Sequence, residues 1–212
     1  MEANAGDSSG ASPRSGSTAS LILLFALIFY APSCLLLLGV IPFELRFHVL
    51  IIVAGALIVY AWKRRYSLQQ LGLRTDTLKD SLLFNSILTV IVVGALAVAY
   101  WENLIRAPTV PSWNWFFPLY VVLFCPAQEF TCRAIPFAEF ERVGITSAPI
   151  QILVSAVSYS FIHVIYRDVL TLVATLVMGV AWGTAYWLRP NLYGITFSHS
   201  AIGVVSILVG LI

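Results

Sequence analysis

Four ionisable side chains lie inside stretches that are otherwise strongly apolar: Glu129, Arg133, His163 and His199. Charged or titratable groups are expensive in hydrocarbon unless they pair or face water, so each is first read as part of a site. Glu129 and Arg133 are four residues apart in AQEFTCR, beside Gln128, so on a helix they share a face and can form an ion pair. His163 follows Tyr159 by four residues in YSFIHVIYRD, and His199 stands in FSHSAIG. A lone pair of this kind can be self-neutralising glue between helices, and a lone histidine is ordinarily an interhelical hydrogen bonder. Together they can do more. A carboxylate and an imidazole can hold a water and take its proton. A second imidazole can donate to the oxyanion of a tetrahedral intermediate, and an arginine can fix the carboxylate and offset its desolvation. This is the chemistry of peptide-bond hydrolysis, although a proton-coupled transporter would draw on the same residue types.

The elements that must position these groups are membrane spans. Hydrophobic residues make up 59% of the 212 positions and charged ones 10%, against roughly a quarter charged in soluble domains. The fold class expected is all-α: a polytopic transmembrane bundle of about seven spans, with the polar site inside it. The spans fall near 19–41, 47–62, 81–101, 113–139, 147–166, 168–188 and 191–212, and most approach the roughly 20 residues that cross a bilayer. Residues 1–18 are small and polar and read as a disordered tail; residues 19–212 form a single transmembrane domain. The apolar run from Ala19 is too long for the core of a cleaved signal.

Lys63, Arg64, Arg65, Arg74 and Lys79 cluster between the second and third spans, which makes that loop cytoplasmic and, with seven spans, the N-terminus with Arg14 cytoplasmic too. Arg142 and Arg189 fall on the same side, and Arg46, Arg106 and Arg167 on the other. The loop at 63–80 is either an amphipathic segment on the membrane surface or a solvated loop with buried leucines among Leu68, Leu71, Leu73 and Leu78. At 1.5 Å per residue, Glu129, His163 and His199 can meet once tilt and kinks at Pro126 and Pro136 are allowed, in a cavity expected to open toward the cytoplasmic half. Cys34, Cys125 and Cys132 have no metal-type spacing and read as small buried hydrophobes. The net charge of +2 is too small to suggest a nucleic-acid partner, and none is expected.

The order and spacing of QEFTCR (Gln128 to Arg133), YSFIH (Tyr159 to His163) and HSAIG (His199 to Gly203) resemble the CPBP family, the CAAX prenyl protease and bacteriocin-processing (Abi) intramembrane endopeptidases. The stretch MGVAWGTAYWLRPNLYGITFSHS adds to the likeness, which covers about 115–208. The family pattern is Glu-Glu-x-x-x-Arg, then Phe-x-x-x-His, then His-x-x-x-Asn two helices on. The resemblance implies a helical bundle enclosing the site and a glutamic-type peptidase, in an older description a metalloprotease. A zinc site is possible but not favoured, since two histidines on separate helices with one glutamate have no local ligand spacing; no cofactor is expected. This chain departs from the pattern at Gln128, where the family has its first glutamate, at Gly203, where it has asparagine, at Tyr159 for phenylalanine and at Ala134 for glycine.

The function expected is therefore that of an intramembrane endopeptidase, with Glu129 as base or base partner, Arg133 as its orienter, His163 as water holder and His199 as oxyanion donor. Its partners are the bilayer and a membrane-anchored protein or peptide substrate. The alternatives are a catalytically inactive relative that binds a membrane partner as an immunity or scaffold protein, to which Gln128 and Gly203 point, and a small transporter.

Overall fold

Seven helical rods account for most of the chain in the computed structural model, which describes residues 17–105 and 111–211. The tail expected over 1–18 lies outside the described residues as far as Gly16, Arg14 included, and so does Arg106. Its last two residues are not tail: Ser17 caps the first helix, accepting from the Ala19 backbone N–H, and Thr18 opens it.

Five rods are long and apolar enough to cross a membrane: α1 (Thr18–Leu37), α2 (Phe43–Arg64), α3 (Leu78–Trp101), α5 (Ala148–Tyr166) and α6 (Val169–Leu188). The shorter α7 (Leu192–Leu208) is equally apolar, and α4 (116–142) carries Gln128, Glu129 and Arg133. These seven coincide with the seven expected spans, and no strand occurs among the described residues. The polarity is that of a membrane protein. Ile52, Val90 and Val122 are more than 70% exposed, while Asn85, Glu129, Arg133 and Glu139 are at most 1% exposed.

Prolines shape the rods. The turns 26–30, 120–124 and 130–134 are π turns, and each starts six residues before a proline: Pro32, Pro126 and Pro136. A proline ring collides with the carbonyl four residues back and offers it no N–H. The chain widens instead, and the residue before each proline donates to the carbonyl five residues earlier. The carbonyl freed by Pro136 belongs to Cys132, and the Ser155 hydroxyl of α5 donates to it at 2.8 Å. The kink thus becomes an interhelical bond.

α5 and α6 pack most closely. Gly179 and Gly183, four apart on α6, face Ala156 and Ile152 of α5; a Cβ at Gly179 would come within 2.9 Å of the Ala156 Cα. Small residues let backbones approach where no hydrophobic effect drives association. Gly179→Val should therefore push α5 off α6 and destabilise the protein by about 1–3 kcal/mol, read as a lower melting temperature in detergent, whereas Gly55→Val, with open space at its Cβ, should leave it unchanged.

The end of the bundle that carries the basic loop is pinned by polar contacts. Tyr60 and Tyr66 both donate to Glu139 Oε1, at 2.7 and 2.5 Å, fastening the end of α2 to α4. Burial and the Glu139 carboxylate push the Tyr66 phenol above its ordinary range. The loop after α2 forms no helix. Leu71 is buried among Leu57, Ala61 and Tyr186 while Leu68 stays exposed. Gly72, at φ 72°, lies against the Tyr186 ring, where no Cβ fits, and its carbonyl accepts from Leu192 N–H. Asn191 caps α7 through the Gly194 N–H and donates to the Arg74 carbonyl. Cys125 and Cys132 are buried, and all three cysteines are unbridged.

Candidate functional site

Gln128 and Glu129 end the short stretch between the widened turns 120–124 and 130–134, Arg133 lies within the second turn, and this segment presents its side chains to two different environments. Glu129 and Arg133 point into the bundle and are completely buried. Glu129 Oε2 lies 3.4 Å from Arg133 Nε, and Glu129 Oε1 lies 2.6 Å from His199 Nδ1. The Arg133 guanidinium sits over the Tyr159 ring at 4.3 Å and near Trp182 at 5.8 Å, so its charge is met by a carboxylate and two ring faces. Gln128, one residue away and about 100° around the helix, is half-buried and looks out into a cavity.

That cavity has a volume of about 450 Å³. His163, His199, Tyr159, Trp182, Tyr120 and Gln128 line its inner wall, and Glu44, Arg46, Trp115 and Tyr166 stand nearer its mouth. Glu129 and Arg133 are behind the wall.

His163 stands just past the last turn of the long helical stretch of α5, and its Nδ1 is 2.8 Å from the Tyr159 carbonyl. A carbonyl only accepts, so Nδ1 carries the proton. In the neutral ring Nε2 is then an unprotonated acceptor. The contact also satisfies one of the carbonyls that a helix end leaves without a partner.

His199 is held on every side. Nδ1 meets Glu129, Nε2 lies 3.4 Å from the Tyr159 hydroxyl, and the ring stacks on Trp182 at 4.5 Å and 19°. Trp182 in turn donates from Nε1 to Ser198 Oγ, which also accepts from Thr89. A buried carboxylate on Nδ1 orients an imidazole and stabilises its protonated form.

The four ionisable residues therefore do gather, with Tyr159 as the hub: its carbonyl holds His163, its hydroxyl meets His199 and its ring carries Arg133. Gln128 joins them from the cavity side. The direction of opening differs from expectation. The mouth is built from the start of α2, the segment before α4 and the ends of α5 and α7, at the end of the bundle opposite the loop with Lys63, Arg64 and Arg65. His163 lies near the end of its helix, and its neighbours there set the opening. Sequence reasoning passed over Tyr120 and Trp182, and its only signal would have been aromatic residues within spans that also hold buried charges. Among the described residues no three His, Cys, Asp or Glu side chains gather as a metal site.

Comparison with known proteins adds one match. Residues 110–205, a little under half of the chain, match the family model for type II CAAX prenyl endopeptidase, Rce1-like. No curated protein and no solved structure matches the chain. The matched segment runs from just before α4 into α7 and contains Gln128, Glu129, Arg133, His163 and His199. With its apolar helices the chain is an integral, multi-pass membrane protein, and residues 110–205, which supply most of the cavity lining, are similar to the CPBP family of intramembrane proteases.

Proposed function

We propose that the chain hydrolyses a peptide bond of a membrane-anchored substrate in the cavity between α4, α5, α6 and α7, with a histidine rather than a glutamate as its proton acceptor. The observation that carries this reading is the division of labour around Tyr159. Glu129 is committed to Arg133 and His199, while His163 turns an unprotonated Nε2 toward the cavity that Gln128 also lines.

The chemistry then runs as follows. His163 Nε2 takes a proton from water as the water oxygen bonds to the scissile carbonyl carbon, and the C=O π pair moves onto oxygen. Gln128 cannot accept that proton, but its amide oxygen can receive a hydrogen bond from the same water. Protonated His199, balanced by Glu129, donates from Nε2 to the oxyanion. Collapse re-forms the carbonyl and breaks the C–N bond, and the proton held by His163 passes to the departing amine. Arg133, Glu129 and protonated His199 sum to one positive charge, which faces the oxyanion, while the oxyanion and the protonated His163 formed in the same step balance one another. No metal enters this sequence.

By the loop charges the basic end is cytoplasmic, so the mouth faces the opposite side. That geometry supports precursor peptides and C-terminal sorting tails as substrates as well as the prenylated C-terminal peptides that the family description suggests.

A second reading has its own observation. Gln128 puts an amide where the family has its first glutamate, as in a relative that holds a membrane partner without cutting it. Reconstitution with a panel of membrane-anchored peptides, farnesylated and not, separates the two. The parent is expected to cleave at least one, and Gln128→Glu to raise kcat by about tenfold or more, since a positioned proton acceptor contributes about 10²–10⁴-fold and His163 already supplies part of that. A silent parent beside an active Gln128→Glu variant would establish the non-catalytic reading. Loss of cleavage on chelation with recovery on adding zinc would overturn the metal-free mechanism.

A further inference from the structure

One turn of α7 beyond His199, the position on the same face as its imidazole carries no side chain. Gly203, four residues on and so on the same face, also lines the cavity. The space a side chain there would fill is already taken: a Cβ built on Gly203 runs directly into the Tyr120 hydroxyl of α4. Tyr120 begins the π turn 120–124 that precedes Pro126. It is 9% exposed, and its ring meets the His199 ring edge-on at 6.4 Å. We propose that the Tyr120 hydroxyl is the second hydrogen-bond donor to the oxyanion, working beside His199 in the room that Gly203 leaves.

The inference rests on the hydrolytic reading above, but its geometry belongs to this chain. A single imidazolium N–H satisfies one lone pair of an oxyanion, and such sites gain about 10²–10³-fold from each further donor. Among the groups of the cavity wall near His199, two hydroxyls are placed to help. That of Tyr159 is already 3.4 Å from His199 Nε2 and acts as its partner. That of Tyr120 stands over the next turn. Where the resembled family has asparagine one turn after its histidine, an asparagine here and Tyr120 would exclude one another. The swap replaces an amide donor on α7 with a phenol donor from α4.

Two kinds of readout test this in the full-length protein in proteoliposomes. For turnover, Tyr120→Phe should lower kcat by about 10²–10³-fold with KM unchanged and the melting temperature held, whereas Tyr159→Phe should cost less. For binding, the probe is a lipid-anchored peptide in which a phosphinate replaces the scissile amide, a tetrahedral anion that needs no turnover. Its affinity should fall in Tyr120→Phe in step with kcat, while that of the matching uncleaved amide does not. Gly203→Asn alone should lower the melting temperature, and Tyr120→Ala/Gly203→Asn should recover both stability and activity relative to either single variant.

Full kcat and unaltered phosphinate affinity in Tyr120→Phe would overturn the inference and leave the hydrolytic reading standing. Phosphinate affinity lost in Tyr159→Phe but kept in Tyr120→Phe would overturn it in favour of the other phenol. If the parent cleaves nothing, the hydrolytic reading fails and phosphinate affinity alone decides. A loss confined to Tyr120→Phe then supports the anion-binding role, and no loss rejects it.

Discussion

Glu129→Gln is expected to destabilise the protein by about 3–5 kcal/mol, the usual cost of removing one partner of a buried ion pair, and to bring peptide cleavage close to background. The substitution is nearly isosteric, so packing around the side chain is kept and charge is what changes. Glu129 and Arg133 are both fully buried. Without the carboxylate, the Arg133 charge keeps only the faces of Tyr159 and Trp182, and a cation over a ring is worth about 0.5–2 kcal/mol. His199 loses the carboxylate on Nδ1 at the same time, and with it the contact that orients its ring. Stability and catalysis can be separated with the double variant Glu129→Gln/Arg133→Met. It removes the stranded charge, so more than half of the lost stability should return, measured by thermal unfolding in one detergent. Activity should not return, because His199 still has no carboxylate. Recovery of cleavage in the double variant would mean that Glu129 serves only to neutralise Arg133.

The sequence disclosed the helices well and the site's inner arrangement less well, for separable reasons. Span positions depend on length and apolarity alone, so α2, α3 and α6 fall close to their expected limits. The π turns were signalled only through Pro32, Pro126 and Pro136, which foretell a disturbance without saying whether a helix kinks, breaks or widens. That Glu129 and Arg133 share a face follows from their spacing, and the 3.4 Å contact agrees. That Gln128 rather than Glu129 looks into the cavity does not follow from spacing. Adjacent residues differ by about 100° around the helix, and only the packing of α5 and α7 says which direction is open. Depth estimates along each helix let His163 and His199 meet only once tilt and kinks were allowed, and neither the hub at Tyr159 nor the direction of opening is written in residue counts. The Glu139 cluster escaped altogether, because a glutamate near the end of a span reads as solvated until Tyr60 and Tyr66 are seen to enclose it.

His163→Ala is expected to lower kcat by about 10²–10⁴-fold, the ordinary worth of a positioned general base, with little change in KM because Gln128, Tyr120 and Trp182 still shape the cavity. The imidazole is 7% exposed and its Nδ1 is engaged by the Tyr159 carbonyl, so its role is set by the one nitrogen left unprotonated. Removing it opens space continuous with the 450 Å³ cavity. Imidazole added to the medium should therefore enter and restore part of the rate, with saturation, while an amine too bulky for the gap should not. A general fault in packing would not respond to imidazole, which distinguishes a lost base from a damaged helix end. The same logic extends to Gln128. Its side chain faces the water that His163 is proposed to deprotonate, so Gln128→Glu in the His163→Ala background should supply a carboxylate base from the neighbouring wall and regain activity without added imidazole. If His163→Ala keeps the parent's kcat, the proton must go elsewhere. His199 is then the remaining imidazole in the cavity wall, and its Glu129 partner would be supporting a base instead of an oxyanion donor.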